Sequence, residues 1–447
     1  MKLTLYTLAI LAIVAMVIRT IPRAEAATPR VLVGHRPFNP NLATEEVAFN
    51  QARVKRDPGG AIGWRQLASA YLAAGRERDS QELAKKSEEA ALKSMSIRTV
   101  RNAGAPVILS EALLEQHRFS DALVACQKSL QIEPGNDFAE RTITDIYFEI
   151  GRYDEARKMV EKHPEWSKDP SGLAILARQQ ELTGRSDIAM VSLKKAVELA
   201  EGESDLPATT LSWFYVKYGD LLARNGQLAN AEMQVSTALK LNSGSWKALA
   251  SMSRLKAMQG DSKGVLVYGE KLNAIAPMTD VVGLMEDASR TLGDKDASAK
   301  YAAQVLHMNQ SAIDAGTNPA TELDQSRIHT HDRMFSVYLA DHNKMLALAQ
   351  HAATHEIANR KDIYAFDTYA WATYSLARAT PLPTNATGTD YRLIESKQYM
   401  DKALALGTRD AKLFYHAGLI ELALHHTDAG NQYLASSKKI NPFYSSR

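Results

Sequence analysis

The chain has 447 residues, of which 45% are apolar and 23% are charged, an ordinary balance for a folded protein. That length exceeds the roughly 100–200 residues of one compact domain, so it predicts either several domains or one extended repeat array. Aromatic residues at 7% argue against a β-sandwich or barrel, and a net charge of +2 creates no long-range field that would attract nucleic acid. The single cysteine, Cys126, excludes an internal disulfide framework and a cysteine-rich zinc module.

The first 26 residues have the composition of an export signal. Lys2 precedes an uncharged apolar run at residues 3–18, and Ala-Glu-Ala at 24–26 supplies the small residues of a cleavage site. We therefore predict a signal peptide at 1–26. Basic residues after the apolar run disfavour translocation of that flank, so an uncleaved membrane anchor at 3–18 is the alternative. Either interpretation predicts that the remaining chain is exported, to the periplasm or the extracellular space.

Residues 27–60 match no other part of the chain. The first part, 28–40, contains prolines and is expected to be extended, whereas 45–56 has the pattern of a short helix. Because a solenoid needs a terminal cap with a polar outer face, we interpret 27–60 as an N-terminal extension that caps the following array.

A repeat of about 34 residues follows. Turn-forming residues recur with spacings of 34, 33, 42, 34 and 33, and a small residue or valine stands five positions after most of them. These turns lie at His117, Gly151, Gly184, Gly226, Gly260 and Gly293. The 42-residue interval is one repeat plus an insertion around Pro207. Glycine permits a tight turn between two helices, and small residues let the paired helices approach closely.

Prolines close several of these units, at Pro134, Pro277 and Pro442, where they prevent the second helix from continuing. In spacing, turn residues and small positions the chain resembles the tetratricopeptide-repeat family, and in particular exported bacterial proteins of that family. The resemblance implies an all-α, right-handed superhelical solenoid of about ten helix-turn-helix pairs. It covers 61–310 with about seven repeats and, after a linker at 311–326, the looser repeats at 327–442.

No catalytic motif is present in the sequence. It contains no Gly-x-Ser-x-Gly elbow, no phosphate-binding Gly-rich loop with Lys-Ser/Thr, and no His-Glu-x-x-His helix. Cys126 falls at a core position of the second helix of its repeat, where a buried, unreactive thiol is expected. We therefore predict a protein that is not an enzyme and needs no cofactor.

Histidines cluster between residues 329 and 355. His351 and His355 are four apart on a predicted helix, a spacing that places two rings on one face for metal chelation, and His331 is a candidate third ligand. The sequence assigns no third ligand, and solvated or packed histidines are the common alternative. A metal- or small-molecule-binding protein of the periplasm that uses 329–355 is therefore the second hypothesis about function.

In the family that the chain resembles, the first helix of each pair lines a concave surface on which partners dock. Carried onto this sequence, the register predicts ten partner-binding positions: Arg141, Asp145, Phe148, Arg178, Glu181, Trp213, Asp220, Arg224, Lys247 and Arg254. Their charges are mixed, and the paired Lys/Asn clamp of chaperone-tail repeats does not appear. The resemblance and the export signal together predict a protein-interaction scaffold of the cell envelope whose partner is a protein or peptide and not nucleic acid.

Overall fold

Helices make up most of the computed structural model, which describes residue 39 and residues 42–317, 332–380 and 390–444. No strand occurs in these ranges. The predicted signal peptide at 1–26, residues 27–38, 40 and 41 of the N-terminal extension, and residues 318–331 lie outside the described residues. None of the described helices is long and apolar enough to cross a membrane.

The helices are α1 Leu42–Arg56, α2 Ala61–Arg78, α3 Gln81–Ile97, α4 Gly104–Glu115, α5 Phe119–Ile132, α6 Asp137–Glu149, α7 Tyr153–Lys162, α8 Pro170–Leu182, α9 Ser186–Gly202, α10 Ala208–Arg224, α11 Leu228–Leu241, α12 Trp246–Met258, α13 Ser262–Asn273, α14 Thr279–Thr291, α15 Lys295–Met308, α16 Gln310–Thr317, α17 Asp332–Asp341, α18 Leu346–Asn359, α19 Ile363–Ala379, α20 Tyr391–Leu404, α21 Ala411–Ala423 and α22 Thr427–Ile440.

These helices pack as ten consecutive pairs, from α2 with α3 to α14 with α15 and then from α17 with α18 to α21 with α22. We call the first helix of each pair helix A and the second helix B. In nine of the ten pairs the two helices contact each other more extensively than they contact a neighbouring pair, and pair three is the exception. The prediction of an all-α solenoid of about ten pairs is confirmed.

The turns between helices A and B depend on a residue in the left-handed conformation. Glycine supplies it in pairs three to seven, for example Gly151 at φ +79°. His117, Asn343 and His425 take the same conformation in pairs two, eight and ten, with φ between +51° and +64°. The eighth pair, in which the sequence lacks a turn glycine, therefore still turns in the same way because asparagine tolerates this conformation.

Small residues bring the paired helices into close contact, as predicted. Ala122, Ala189 and Ala231 have no exposed surface. The structure adds a hydrogen-bonding role for serine at the same interface. In pairs one, two and ten a buried serine of helix B donates its hydroxyl to a carbonyl at the start of helix A: Ser94 to Ala61, Ser129 to Ala103 and Ser437 to Ala411. Each buried hydroxyl thus has a hydrogen-bond acceptor, so serine at these positions both allows close packing and links the two helices.

Helices A of neighbouring pairs contact each other, for example α2 with α4, α10 with α12 and α12 with α14, whereas helices B are separated further. A stack whose members are closer together on one side curves toward that side. Helices A therefore line the inner face of the array, which we call the concave surface, and helices B form its outer face.

Two segments outside the pairs are helical. The expected helix in the N-terminal extension is α1, which contacts α2 through a hydrogen bond from Gln51 Nε2 to the Tyr71 hydroxyl at 2.8 Å. The first part of the predicted linker at 311–326 is helical, because α16 extends to Thr317. Ala312 and Ile313 of α16 pack against the apolar core shared by pairs six to nine, and this burial favours helix over extended chain.

Candidate functional site

A row of ion pairs connects helices A along the concave surface. Arg76 Nε lies 2.7 Å from Glu115, Arg178 2.7 Å from Glu149, Arg224 2.8 Å from Glu181, and Arg254 Nε 2.7 Å from Asp280. Each pair joins one helix A to the helix A of a neighbouring repeat. The arginines of the concave surface are therefore partly committed to holding adjacent repeats together.

Glu149 is the most strongly perturbed carboxyl of this row. Burial alone raises its pKa, but the guanidinium groups of Arg178 and Arg360 outweigh burial and lower the pKa to about 2. Asp145, one helical turn earlier, shows the opposite balance: burial raises its pKa, and Arg178, at 3.7 Å, only partly offsets that effect. The two carboxyls therefore differ in environment although they share one arginine.

Nine of the ten predicted partner-binding residues keep some exposed surface, and Phe148 does not. The exposure expected for Phe148 is wrong, since the residue is 3% exposed. It joins the core formed with Val160 and Ile175, and the Arg178 guanidinium lies 5.1 Å above its ring. Phe148 lies near the end of its helix, and its position in the repeat did not predict that its ring packs in the core.

Arg141 is also less accessible to a partner than its position in the repeat predicted. Its guanidinium makes two hydrogen bonds to the Asp169 carboxylate, at 3.0 and 2.9 Å, and its side chain is only 17% exposed. It lies 4.9 Å from the ring of the buried Trp166. Arg141 thus connects pairs three and four, with little of its surface left for a partner.

The structure gathers the remaining candidates on pairs three to six. Trp213 and Asp220 on α10 and Lys247 on α12 are half-buried. Lys217, which the sequence register did not single out, is exposed one turn after Trp213, and its Nζ lies 5.4 Å from the Trp213 ring. A helical spacing of four residues from Trp213 is the signal that could have identified it.

A second feature of the chain joins distant repeats. The ends of helices B in pairs eight to ten contact the A–B turns of pairs three to five, and we call this contact the seam. Its hydrogen bonds include Lys361 N to Ile150 O at 3.4 Å, Ile363 N to the Tyr153 hydroxyl at 2.9 Å, and Asn441 Nδ2 to Ala223 O at 3.2 Å. The array therefore curls until its C-terminal pairs meet its third to fifth pairs.

Three turn glycines, Gly151, Gly184 and Gly226, face the seam, and at the first two the approach is closest. A Cβ atom on Gly151 would stand 2.2 Å from the carbonyl oxygen of Lys361, and one on Gly184 would stand 2.3 Å from that of Gly407. No side chain fits at those distances. These glycines therefore permit both the turn within their own pair and the approach of a distant backbone.

The histidine cluster provides two of the three metal ligands that were considered. His351 and His355 lie on one face of α18 with ring centroids 6.2 Å apart, and His331 lies outside the described residues. The part of the chain that the structure describes contains no group of three histidine, cysteine or acidic residues arranged to hold a metal ion. The metal-site hypothesis lacks a third ligand there.

Cys126 lies in the core of pair two, with no exposed surface. Its thiol lies 3.3 Å from the carbonyl oxygen of Ala139, and burial raises its pKa to about 12. The thiol is therefore protonated at neutral pH and closed to solvent, the environment that the sequence predicted.

Comparison with known proteins agrees with this geometry. A family model described as tetratricopeptide repeat matches residues 113–178, which run from the end of α4 to α8. No curated protein matches the chain in sequence.

Three solved structures are similar to parts of the array. The type IV pilus biogenesis factor PilW is 19% identical over 46% of this chain and 93% of its own, with a TM-score of 0.39. A tetratricopeptide-repeat protein from Parabacteroides merdae is 13% identical over 55% and 92%, with a TM-score of 0.42. YrrB, a repeat protein with an unusual peptide-binding site, is 13% identical over 51% and 92%, with a TM-score of 0.22.

The family match covers part of pair two, all of pair three and part of pair four. Helix pairs of the same kind continue on both sides of it. The same helix pairs and buried small residues extend from pair one to pair ten within the described residues, and left-handed residues connect the helices in every pair except the ninth, whose connection is not described. The described part of the chain is therefore an array of helix pairs built like tetratricopeptide repeats, and the family match itself covers residues 113–178.

Proposed function

We propose that the protein is a non-enzymatic interaction scaffold of the cell envelope, which binds a segment of a partner protein along its concave surface. Tetratricopeptide arrays commonly serve as protein-binding modules, and that coarser assignment rests on the family match. The proposal adds a location, the cell envelope, and a binding face, the concave surface. Export is supported by the signal-like composition of residues 1–26.

The observation that carries the proposal is the composition of the concave surface on pairs three to six. The partly exposed charged side chains of Asp145, Arg178 and Arg224 and the half-buried ring of Trp213 lie on this surface. Charged groups that orient a ligand, next to an aromatic ring that contributes apolar contact area, are the usual components of a protein-binding site.

The binding face can be tested by site-specific photo-cross-linking in the native cell. A photoreactive amino acid placed at Trp213 is expected to capture a discrete partner. The same group at Met233, which is 41% exposed on helix B of the same pair, is the matched control for the outer face. Equal capture from both positions, or from Met233 alone, would contradict the concave-surface assignment.

Export is tested separately by fractionation of the same cells and by mass spectrometry of the mature N-terminus. Recovery outside the cytoplasm is expected, with a new N-terminus after residue 26 if the signal is cleaved. Recovery from the cytoplasm with residues 1–26 intact would contradict the envelope location and leave the binding face untouched.

A further inference from the structure

The concave surface contains two kinds of cation. Arg178, Arg224 and Arg254 each have a carboxylate of a neighbouring repeat at 2.7–2.8 Å. Lys217 and Lys247 have no carboxylate within ion-pair distance among the residues that the structure describes. The arginines are thus satisfied by the protein itself, whereas the two ammonium groups retain N–H donors that no protein anion uses.

The two lysines occupy neighbouring repeats and similar surroundings. Lys217 belongs to α10 and Lys247 to α12, and these two helices contact each other. The Lys217 Nζ lies 5.4 Å from the centroid of the Trp213 ring, and the Lys247 Nζ lies 5.1 Å from that of Trp246. A cation above an aromatic face remains open on its other side, so each ammonium can still receive an anion there.

One of the two aromatic rings is held in place by the rest of the fold. Trp246 Nε1 donates a hydrogen bond of 2.7 Å to the carbonyl oxygen of Arg76, which lies in the first pair. A ring that is already oriented loses little conformational freedom when a ligand contacts it. The lysine above it is therefore presented from a rigid support.

The surroundings of both lysines lower the pKa of the ammonium group. Desolvation by the residues that surround it lowers the pKa of Lys217, although its side chain reaches solvent; Arg178 and Arg224 lower the pKa further, whereas Asp220 and Glu149 raise it. Burial likewise lowers the pKa of Lys247, where Lys217 and Arg76 add to the effect and Glu115 and Asp79 oppose it. Each ammonium is therefore partly desolvated and has cations as well as acids nearby, and a ligand carboxylate would offset the desolvation.

We propose that Lys217 and Lys247, with the rings of Trp213 and Trp246, form a subsite for an acidic segment of the partner protein. Glutamate or aspartate side chains of the segment bind the two ammonium groups, and its apolar atoms contact the two rings. The inference rests on the proposed function, because it assigns the chemistry of the segment that the concave surface binds.

Fluorescence anisotropy with the full-length protein tests the subsite directly. The probe is a short labelled peptide with glutamate at alternate positions, and the comparison peptide has lysine in place of each glutamate. The test variant combines Lys217→Gln with Lys247→Gln. The matched control combines Lys128→Gln with Lys158→Gln, which removes two exposed lysines from helices B on the outer face.

The glutamate peptide is expected to bind the unmodified protein and the control alike, and the test variant at least about tenfold more weakly, a difference of about 1.4 kcal/mol. The lysine peptide is expected not to bind. Comparable binding of both peptides, or equal loss in the test variant and the control, would overturn the inference.

Selection of random peptides on the full-length protein separates this inference from the proposed function. Selected peptides enriched in acidic residues, and released by the Lys217→Gln/Lys247→Gln variant, support both. Selected peptides that require Trp213 but carry no acidic enrichment overturn the subsite and leave the concave-surface function intact. A selection that yields no peptide dependent on the concave surface contradicts the proposed function itself.

Discussion

Arg360 donates a hydrogen bond of 3.1 Å from Nε to the backbone carbonyl of Glu149, and its guanidinium also pairs with the Glu149 carboxylate, although 211 residues separate the two. Arg178, from the neighbouring repeat, pairs with the same carboxylate. One acidic side chain thus connects the row of ion pairs on the concave surface to the seam.

Replacing Glu149 with glutamine is expected to loosen the seam. The variant removes the anion that Arg178 and Arg360 share, which we expect to cost about 2 kcal/mol. Hydrogen exchange should accelerate at the amides of Lys361 and Ile363, whose acceptors lie across the seam.

The control for this substitution is Glu155→Gln, which removes an exposed carboxylate paired only with the nearby Arg152. Exposed pairs of this kind contribute about 0–1 kcal/mol. If both variants exchange at the same rate at Lys361 and Ile363, the seam does not depend on Glu149.

The seam should also weaken in acid. The folded-state pKa of Glu149 is about 2, below the ordinary carboxyl value of 4.5, so its contribution is complete above the ordinary value and is lost as pH falls toward 2. Asp145 has a raised pKa and acts in the opposite direction. The measurement is therefore the difference in seam exchange between the unmodified protein and Glu149→Gln, which should be large near pH 6 and should shrink toward pH 3.

Substitutions at two turn glycines with similar backbone angles can show whether the turn or the seam requires glycine. Gly151→Ala and Gly260→Ala both place a side chain at positive φ, but a Cβ on Gly260 meets no atom within 4 Å, whereas one on Gly151 meets the Lys361 carbonyl. We expect Gly151→Ala to lower the unfolding free energy by about 1–3 kcal/mol more than Gly260→Ala in urea denaturation. Equal losses would show that the turn alone requires Gly151.

Cys126 should report unfolding of the second pair. Because burial raises its pKa to about 12 and excludes solvent, we expect no reaction with a thiol-specific reagent in the folded protein at neutral pH. One thiol per chain should react in denaturant, since the sequence contains one cysteine. Rapid stoichiometric labelling of the folded protein would contradict the buried position.

The repeat could be predicted because it rests on short-range constraints. A turn residue, a small residue five positions later and a closing proline act within one pair of helices, and their spacing is visible along the chain. Helix faces were predicted well in the middle of helices A and less well at their ends. Phe148 is the example: it was expected on the concave surface and lies in the core.

The sequence predicted neither the contacts between distant pairs nor the charged groups around Lys217 and Lys247. Lys217 and Lys247 are ordinary lysines in the sequence, and only the packing of α10 on α12 shows that acids of the protein satisfy the neighbouring arginines and leave these two unpaired.

By itself, the amino-acid sequence determined the helix pairs, their period and the residues that permit six of the turns. The tertiary structure alone decided that Gly151 meets Lys361 and that Glu149 meets Arg360. The reason is physical: each pair adds a small rotation to the stack, and which distant residues meet depends on the sum of those rotations over several pairs, a quantity that no local pattern encodes.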